Sequence, residues 1–166
     1  MTPMPTDTAR ELRFASAATV FARLAVAAGF LSAVADRFGW WGGTANVSWG
    51  NFDNFLVYLN KLAPYLSGPF VDVVGWVSTA AEIVLGLTLL FGIALRWSAW
   101  ASTGLLLSFA LSMFFFSGPE APLSASVFSA AAASALLALA PAGAYVFSLD
   151  RVRATMSAHA VVPAGA

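Results

Sequence analysis

The sequence predicts an all-α fold: a transmembrane four-helix bundle with an amphipathic interfacial helix in the long outer loop between spans 1 and 2. Three observations carry that reading. Of 166 residues, 60% are apolar and 10% charged, against about 25% charged in an ordinary soluble domain, so polar surface is too scarce to cover a water-exposed globule. Four windows are apolar over the roughly 20 residues that a helix needs to cross a bilayer core about 30 Å thick. Of the eight basic and eight acidic side chains, only Arg23 and Glu82 fall inside those windows.

The predicted spans run from Ala15 to Ala35, Val73 to Leu95, Trp97 to Ser117, and Leu123 to about Ala140, in one integral membrane domain over residues 1–166. Arg96 alone interrupts the run between spans two and three, where Gly92 to Trp97 supplies a tight reversal. Ser117-Gly118-Pro119-Glu120-Ala121-Pro122 breaks the chain before span four, because two prolines and a glycine favour a turn over continued helix. Pro141 and Gly143 close that span. A cleavable signal peptide is the alternative for span one, since Arg10 and Arg13 precede an apolar run that ends in Ala33-Val34-Ala35; the run is longer than an ordinary signal core and contains Arg23.

Basic residues in short loops stay on the cytoplasmic side. Four spans gather Arg10, Arg13, Arg96, Arg151 and Arg153 on the side of both termini and leave Arg37 and Lys61 on the other, so tails 1–13 and 148–166 are expected in the cytoplasm. The balanced charge lacks the basic footprint of a nucleic-acid binder. Without cysteine there is no thiolate nucleophile, disulfide, iron-sulfur cluster or Cys-type zinc site, and His159 is the sole histidine. The sequence therefore assigns no metal, no intrinsic cofactor and no catalytic residue.

Residues 36–72 form the long outer loop. Phe52, Phe55, Leu56, Leu59, Leu62 and Leu66 fall at helical spacing with polar residues between them, the pattern of an amphipathic helix. Ser48 or Asn51 can cap its start and Pro64 limits its end. Trp40, Trp41 and Trp49 flank it, as befits either an anchor in the headgroup zone or a lid over an entry site for a lipid-soluble ligand. Asn46-Val47-Ser48 matches a glycosylation sequon too short to carry weight.

An ion at the bilayer centre costs about 2.5 to 3.5 kcal/mol even on the lenient insertion scale, so Arg23 and Glu82 should face the interior and find partners. At 1.5 Å per residue they lie about 13 Å and 20 Å from the cytoplasmic side, an offset that an arginine side chain spans. Ser16, Thr19 and Arg23 share one helix face, and Gly75, Thr79, Glu82 and Gly86 another. The expected polar or ligand site is therefore Arg23, Glu82, Thr19 and Thr79. It is either a buried pair fixing helix register or a site in which Glu82 carries a proton and Arg23 holds a substrate oxygen. Asp36 and Arg37 close span one as an outer rim, either a solvated helix end or a guarded entrance, with Trp49, Asn51 and Phe52 as cover.

Two segments carry a family resemblance: Arg23-Leu24-Ala25-Val26-Ala27-Ala28-Gly29-Phe30 continuing to Ala35-Asp36-Arg37-Phe38-Gly39, and Thr79-Ala80-Ala81-Glu82-Ile83-Val84-Leu85-Gly86 continuing to Leu90-Phe91-Gly92 and Arg96. Over residues 20–140 their order resembles the DoxX-like family of four-span membrane proteins, which includes the DoxD type of thiosulfate:quinone oxidoreductase subunit. Trp49-Gly50-Asn51-Phe52, and Pro122-Leu123 with Ser126-Val127-Phe128-Ser129, resemble a subgroup of it. The resemblance implies a multi-pass protein of the bacterial inner membrane, a quinone as electron acceptor, and a soluble or membrane redox subunit as partner beside the lipid bilayer. The alternative is a non-catalytic small-molecule carrier, membrane chaperone or assembly protein using the same intramembrane site. No repeat relates the two halves, since span four has no charged counterpart to Glu82, which counts against transport.

Overall fold

The first helix, α1, runs Thr6–Arg37, about 48 Å at 1.5 Å per residue, so it exceeds the hydrocarbon core and begins nine residues before the predicted span. It belongs to a computed structural model that describes residues 6–42, 48–152 and 156. The Asn46 sequon, Arg153 and His159 lie outside those residues.

Helix α2 (Phe52–Leu62) is the amphipathic segment expected in the loop, with Phe55, Leu59 and Leu62 buried. Asn51, not Ser48, caps it: its Oδ1 accepts a 2.8 Å hydrogen bond from the Asn54 amide. Helix α3 (Pro69–Phe91) opens on a proline, which forfeits no hydrogen bond at that position. It closes on Gly92 in the left-handed region, and α4 (Leu95–Ser117) follows at once. At Gly92 the glycine is required twice over. Its φ of +70° disfavours a side chain, and a Cβ would lie 2.6 Å from that of Ser148.

Three helices are long and apolar enough to cross a membrane: Thr8–Arg37 of α1, Pro69–Phe91 and Leu95–Ser117. The predicted fourth span divides into α5 (Glu120–Ser124) and α6 (Val127–Leu139). Ser126 separates them at φ +56°, so the expected continuous window from Leu123 is broken and α6 measures only about 20 Å. Among the described residues there is no strand.

Helix α4 packs most extensively against α6, and α1 against α3. Small side chains permit the first of these contacts: Ala99, Ser102 and Ala110 of α4 and Ala131 and Ser134 of α6 are all buried. The serines do not bridge the helices. Ser102 and Ser134 donate to the carbonyls of Ser98 and Ala130 four residues back, which satisfies them within their own helices. The apolar core joins Val26 and Phe30 of α1, Leu89 of α3, Leu95 and Leu106 of α4 and Leu137 of α6.

After α6 the chain turns through a short 3-10 segment, Ala142–Ala144, and lies across the end of the bundle. Asp150 there accepts hydrogen bonds from the amides of Ala94 and Leu95 at 2.9 and 3.0 Å, capping α4 from a distant part of the chain. Helix α2 occupies the opposite end and packs on α3 and α4. A Cβ at Gly75 would fall 2.5 Å from Leu56, so this glycine admits α2 closely to α3.

Candidate functional site

Glu82 is 2% exposed in the middle of α3, and its partner is Arg37 rather than Arg23. Arg37 Nη2 donates to Glu82 Oε1 and Nη1 to Thr79 Oγ1, both at 2.8 Å. Thr79 passes its own proton to the Gly75 carbonyl, so its hydroxyl is used fully as acceptor and donor. Thr79 and Glu82 are three residues apart and therefore face the same partner.

The two residues expected as an outer rim, a solvated helix end or a guarded entrance, are both buried: Asp36 is 6% and Arg37 3% exposed, which excludes the solvated end. The cause lies in the loop. Helix α1 stops level with the middle of α3, and the following chain folds back over its end. The Asp36 carboxylate draws in that chain by accepting the amides of Ser48 (3.0 Å), Trp49 (3.1 Å) and Gly50 (3.1 Å). Gly39, at φ +73°, brings the outgoing backbone so near Gly50 that a Cβ would meet its carbonyl oxygen at 2.9 Å. Asp36 is thereby compensated by main-chain dipoles, which leaves Arg37 free to pair with Glu82.

Aromatic rings close the guanidinium from the loop side. Its centre lies 3.9 Å from the Phe55 ring centroid and 5.3 Å from that of Trp49, and these two rings meet edge to face at 5.2 Å. Of the expected cover, Trp49 therefore touches the site directly. Asn51 acts as a helix cap, while Phe52 stacks on Trp76 at 4.4 Å and fixes α2 to α3.

Arg23 and Thr19 form a different structure. Arg23 Nη2 donates to the Phe147 carbonyl at 3.0 Å and Nη1 to that of Val146 at 3.5 Å. Thr19 donates to the Ala144 carbonyl at 2.8 Å. The face of α1 bearing Ser16, Thr19 and Arg23 thus binds the C-terminal segment and not the Glu82 face of α3. The sequence estimate of depth failed because α3 ends at Gly92, and Arg23 Nη1 would lie only 2.9 Å from a Cβ placed there. Arg23 is level with the end of α3, whereas Glu82 is ten residues, about 15 Å, further in.

A cavity of about 1020 Å³ adjoins the Arg37–Glu82 pair. Its body lies between α1 and α6, walled by Val26, Gly29, Ala33, Ala130 and Ala133, and its head lies under Trp49, Phe55 and Tyr58. Exposed Ala25, Gly29 and Val57 at its edge show that it opens sideways. Burial pushes the Tyr58 phenol pKa above its ordinary value, so this hydroxyl is neutral. Glu82 Oε2 and Arg37 Nε have no hydrogen-bond partner among the described residues. An unpaired carboxylate oxygen beside an apolar cavity can hold a ligand's proton-bearing head group.

The sequence carried one overlooked signal for this arrangement. An amphipathic helix following Asp36-Arg37 needs an apolar surface, and the end of α1 supplies it if that helix folds inward. No family model matches the chain, and no curated protein or solved structure matches it.

Proposed function

We propose that the protein is a four-span inner-membrane protein of the DoxX-like type, acting as a quinone-associated or accessory subunit of a membrane oxidoreductase. The observation that carries this reading is the shape and chemistry of the cavity. It has an apolar body open sideways between α1 and α6, and its polar lining comes from the Arg37–Glu82 pair and from Ser48, Asn54, Tyr58 and Lys61 on the loop side. Such a site suits a lipid-soluble molecule with a compact polar ring, entering from the bilayer. The chain has no cysteine and one histidine, so it holds the quinone while a partner subunit provides the electron path.

Topology belongs to the same proposal. Helices α5 and α6 together make the fourth crossing, both termini face the cytoplasm, and α2 lies beneath the outer headgroups as a cover. With Arg37 drawn into the interior, Lys61 is the one cation left on the outer side of the basic-residue balance, which strengthens the orientation.

The test is quinone extraction from the purified chain. Wild type is expected to carry quinone through purification, and Gly29→Leu to lose it. Position 29 lines the cavity and has nothing within 4 Å of an added Cβ, so the larger side chain narrows the cavity between α1 and α6 without disturbing the bundle. Quinone absent from wild type, or retained equally in the variant, removes this reading in favour of a carrier or assembly protein for another molecule.

A further inference from the structure

The polar end of the cavity presents an unusual set of unmet bonds. Glu82 lines the cavity, is almost fully buried and spends Oε1 on Arg37, while Oε2 has no donor among the described residues. A carboxylate oxygen in a dry site needs a donor, and its lack costs more than an ordinary unmade hydrogen bond. The charges next to Oε2 are already compensated. Arg37 is neutralised by Glu82, its open face is taken by Phe55 and Trp49, and Asp36 is held by three amides. An anionic head group at this end would meet Glu82, and the other cation of the cavity lining, Lys61, is an exposed residue of α2. A head group offering only carbonyl oxygens could accept from the unpartnered Arg37 Nε but would leave Oε2 unmet, whereas a hydroxyl both donates and accepts.

We infer that the cavity takes a neutral lipid whose head group is a hydroxyl, and that this hydroxyl donates a hydrogen bond to Glu82 Oε2. The inference rests on the proposed placement of the head group at Arg37 and Glu82, and deepens it by naming the form that binds. For a quinone pool this is the reduced quinol; a prenyl alcohol offers the same donor without redox chemistry. The tail lies along the small-residue walls at Gly29, Ala33, Ala130 and Ala133.

Four probes separate the possibilities on the full chain, stripped of co-purified lipid and kept anaerobic: an alkylated benzoquinol, its quinone, a prenyl alcohol of similar tail length, and phosphatidic acid. Affinity is read from the ligand-dependent shift in Tm. The hydroxyl-bearing probes are expected to bind at least about tenfold more tightly than the quinone, the effect of one hydrogen bond to a charged acceptor, and phosphatidic acid to bind least. In Glu82→Gln, Arg37 retains the amide oxygen and turns the NH2 toward the cavity, so the ranking reverses in favour of the quinone carbonyl. Gly29→Leu abolishes binding of all the neutral probes. Should Glu82→Gln fail to accumulate, the wild-type ranking and Gly29→Leu decide the matter.

Quinone binding as tightly as quinol in wild type, or phosphatidic acid binding most tightly, overturns the inference. If the prenyl alcohol binds and neither quinol nor quinone does, the hydroxyl-head inference stands and the quinone function falls. If quinol and quinone bind equally and both are lost in Gly29→Leu, the quinone function stands and the inference falls.

Discussion

Two arginines are buried in α1, and the protein treats them in opposite ways. Arg23 reaches main-chain carbonyls of the C-terminal segment, at the end of the bundle where α3 turns into α4. Arg37 reaches side chains in the middle of α3, beneath a lid of aromatic rings and beside a large cavity. Carbonyls of a folded segment cannot titrate or change partner without unfolding, so the first arrangement is a clasp that joins the chain's end to its first helix. A carboxylate that lines a cavity and has one oxygen unpaired keeps an acceptor for a ligand, so the second is suited to binding. Burial of an ion therefore does not by itself mark a candidate site; an unpaired atom on its counter-group and an adjoining cavity distinguish Arg37 from Arg23.

The largest expected effect separates the two arginines by what is left behind. Glu82→Ala strands the Arg37 guanidinium in an apolar interior and should lower stability by about 3–5 kcal/mol, seen as a large fall in Tm in detergent. The pair Arg37→Met with Glu82→Leu removes both charges and should recover most of that stability while still binding no lipid. Recovery of lipid binding in the double variant would erase the distinction between the two regions.

Arg23→Met comes next. Losing the bonds to two carbonyls should cost about 2–3 kcal/mol and free the segment around Val146 and Phe147, checked by faster amide exchange there. Affinity at the cavity should be unchanged. A loss of affinity equal to that of the Glu82 variants would show that both arginines serve one site.

A smaller change is expected in Asp36→Asn. The charged acceptor for three loop amides becomes a neutral one, at a cost of about 1–2 kcal/mol, and exchange at Ser48, Trp49 and Gly50 should quicken. Trp49 and Phe55 would then sit less firmly over Arg37, so lipid should enter and leave faster with little change in equilibrium affinity.

The same contrast explains what could be read from the sequence. Long apolar helices and the amphipathic α2 follow from composition and period, which are local properties; the ends are less legible, since Ser48 and Asn51 are both eligible caps and the predicted second span runs to Leu95, whereas α3 stops at Gly92 and α4 already begins at Leu95. Glu82 and Thr79 were legible as interior groups because an ion within an apolar run must be partnered. The partner was not legible. Choosing Arg37 over Arg23 requires knowing that α1 ends level with the middle of α3, and that follows from the loop folding back to give Asp36 its amides. Nor does hydropathy show that Ser126 adopts a left-handed conformation and divides the fourth apolar run.

The smallest expected effect lies at Asp150, and it tests the claim that the C-terminal segment is only a clasp. Ala94 precedes α4 in a left-handed conformation and has no side chain with which to cap it. Asp150 supplies the missing acceptor from 55 residues away along the chain, beside the helix's positive end, while its own amide donates to the Gly92 carbonyl at 3.2 Å. Asp150→Ala should therefore cost about 1 kcal/mol, lowering Tm slightly and leaving lipid affinity unaltered. Because Asp150 and Arg23 hold the same segment, Asp150→Ala combined with Arg23→Met should destabilise by less than the sum of the two single changes, since a segment released at one point no longer benefits fully from the other. Strict additivity would mean that the segment is fixed independently at each end.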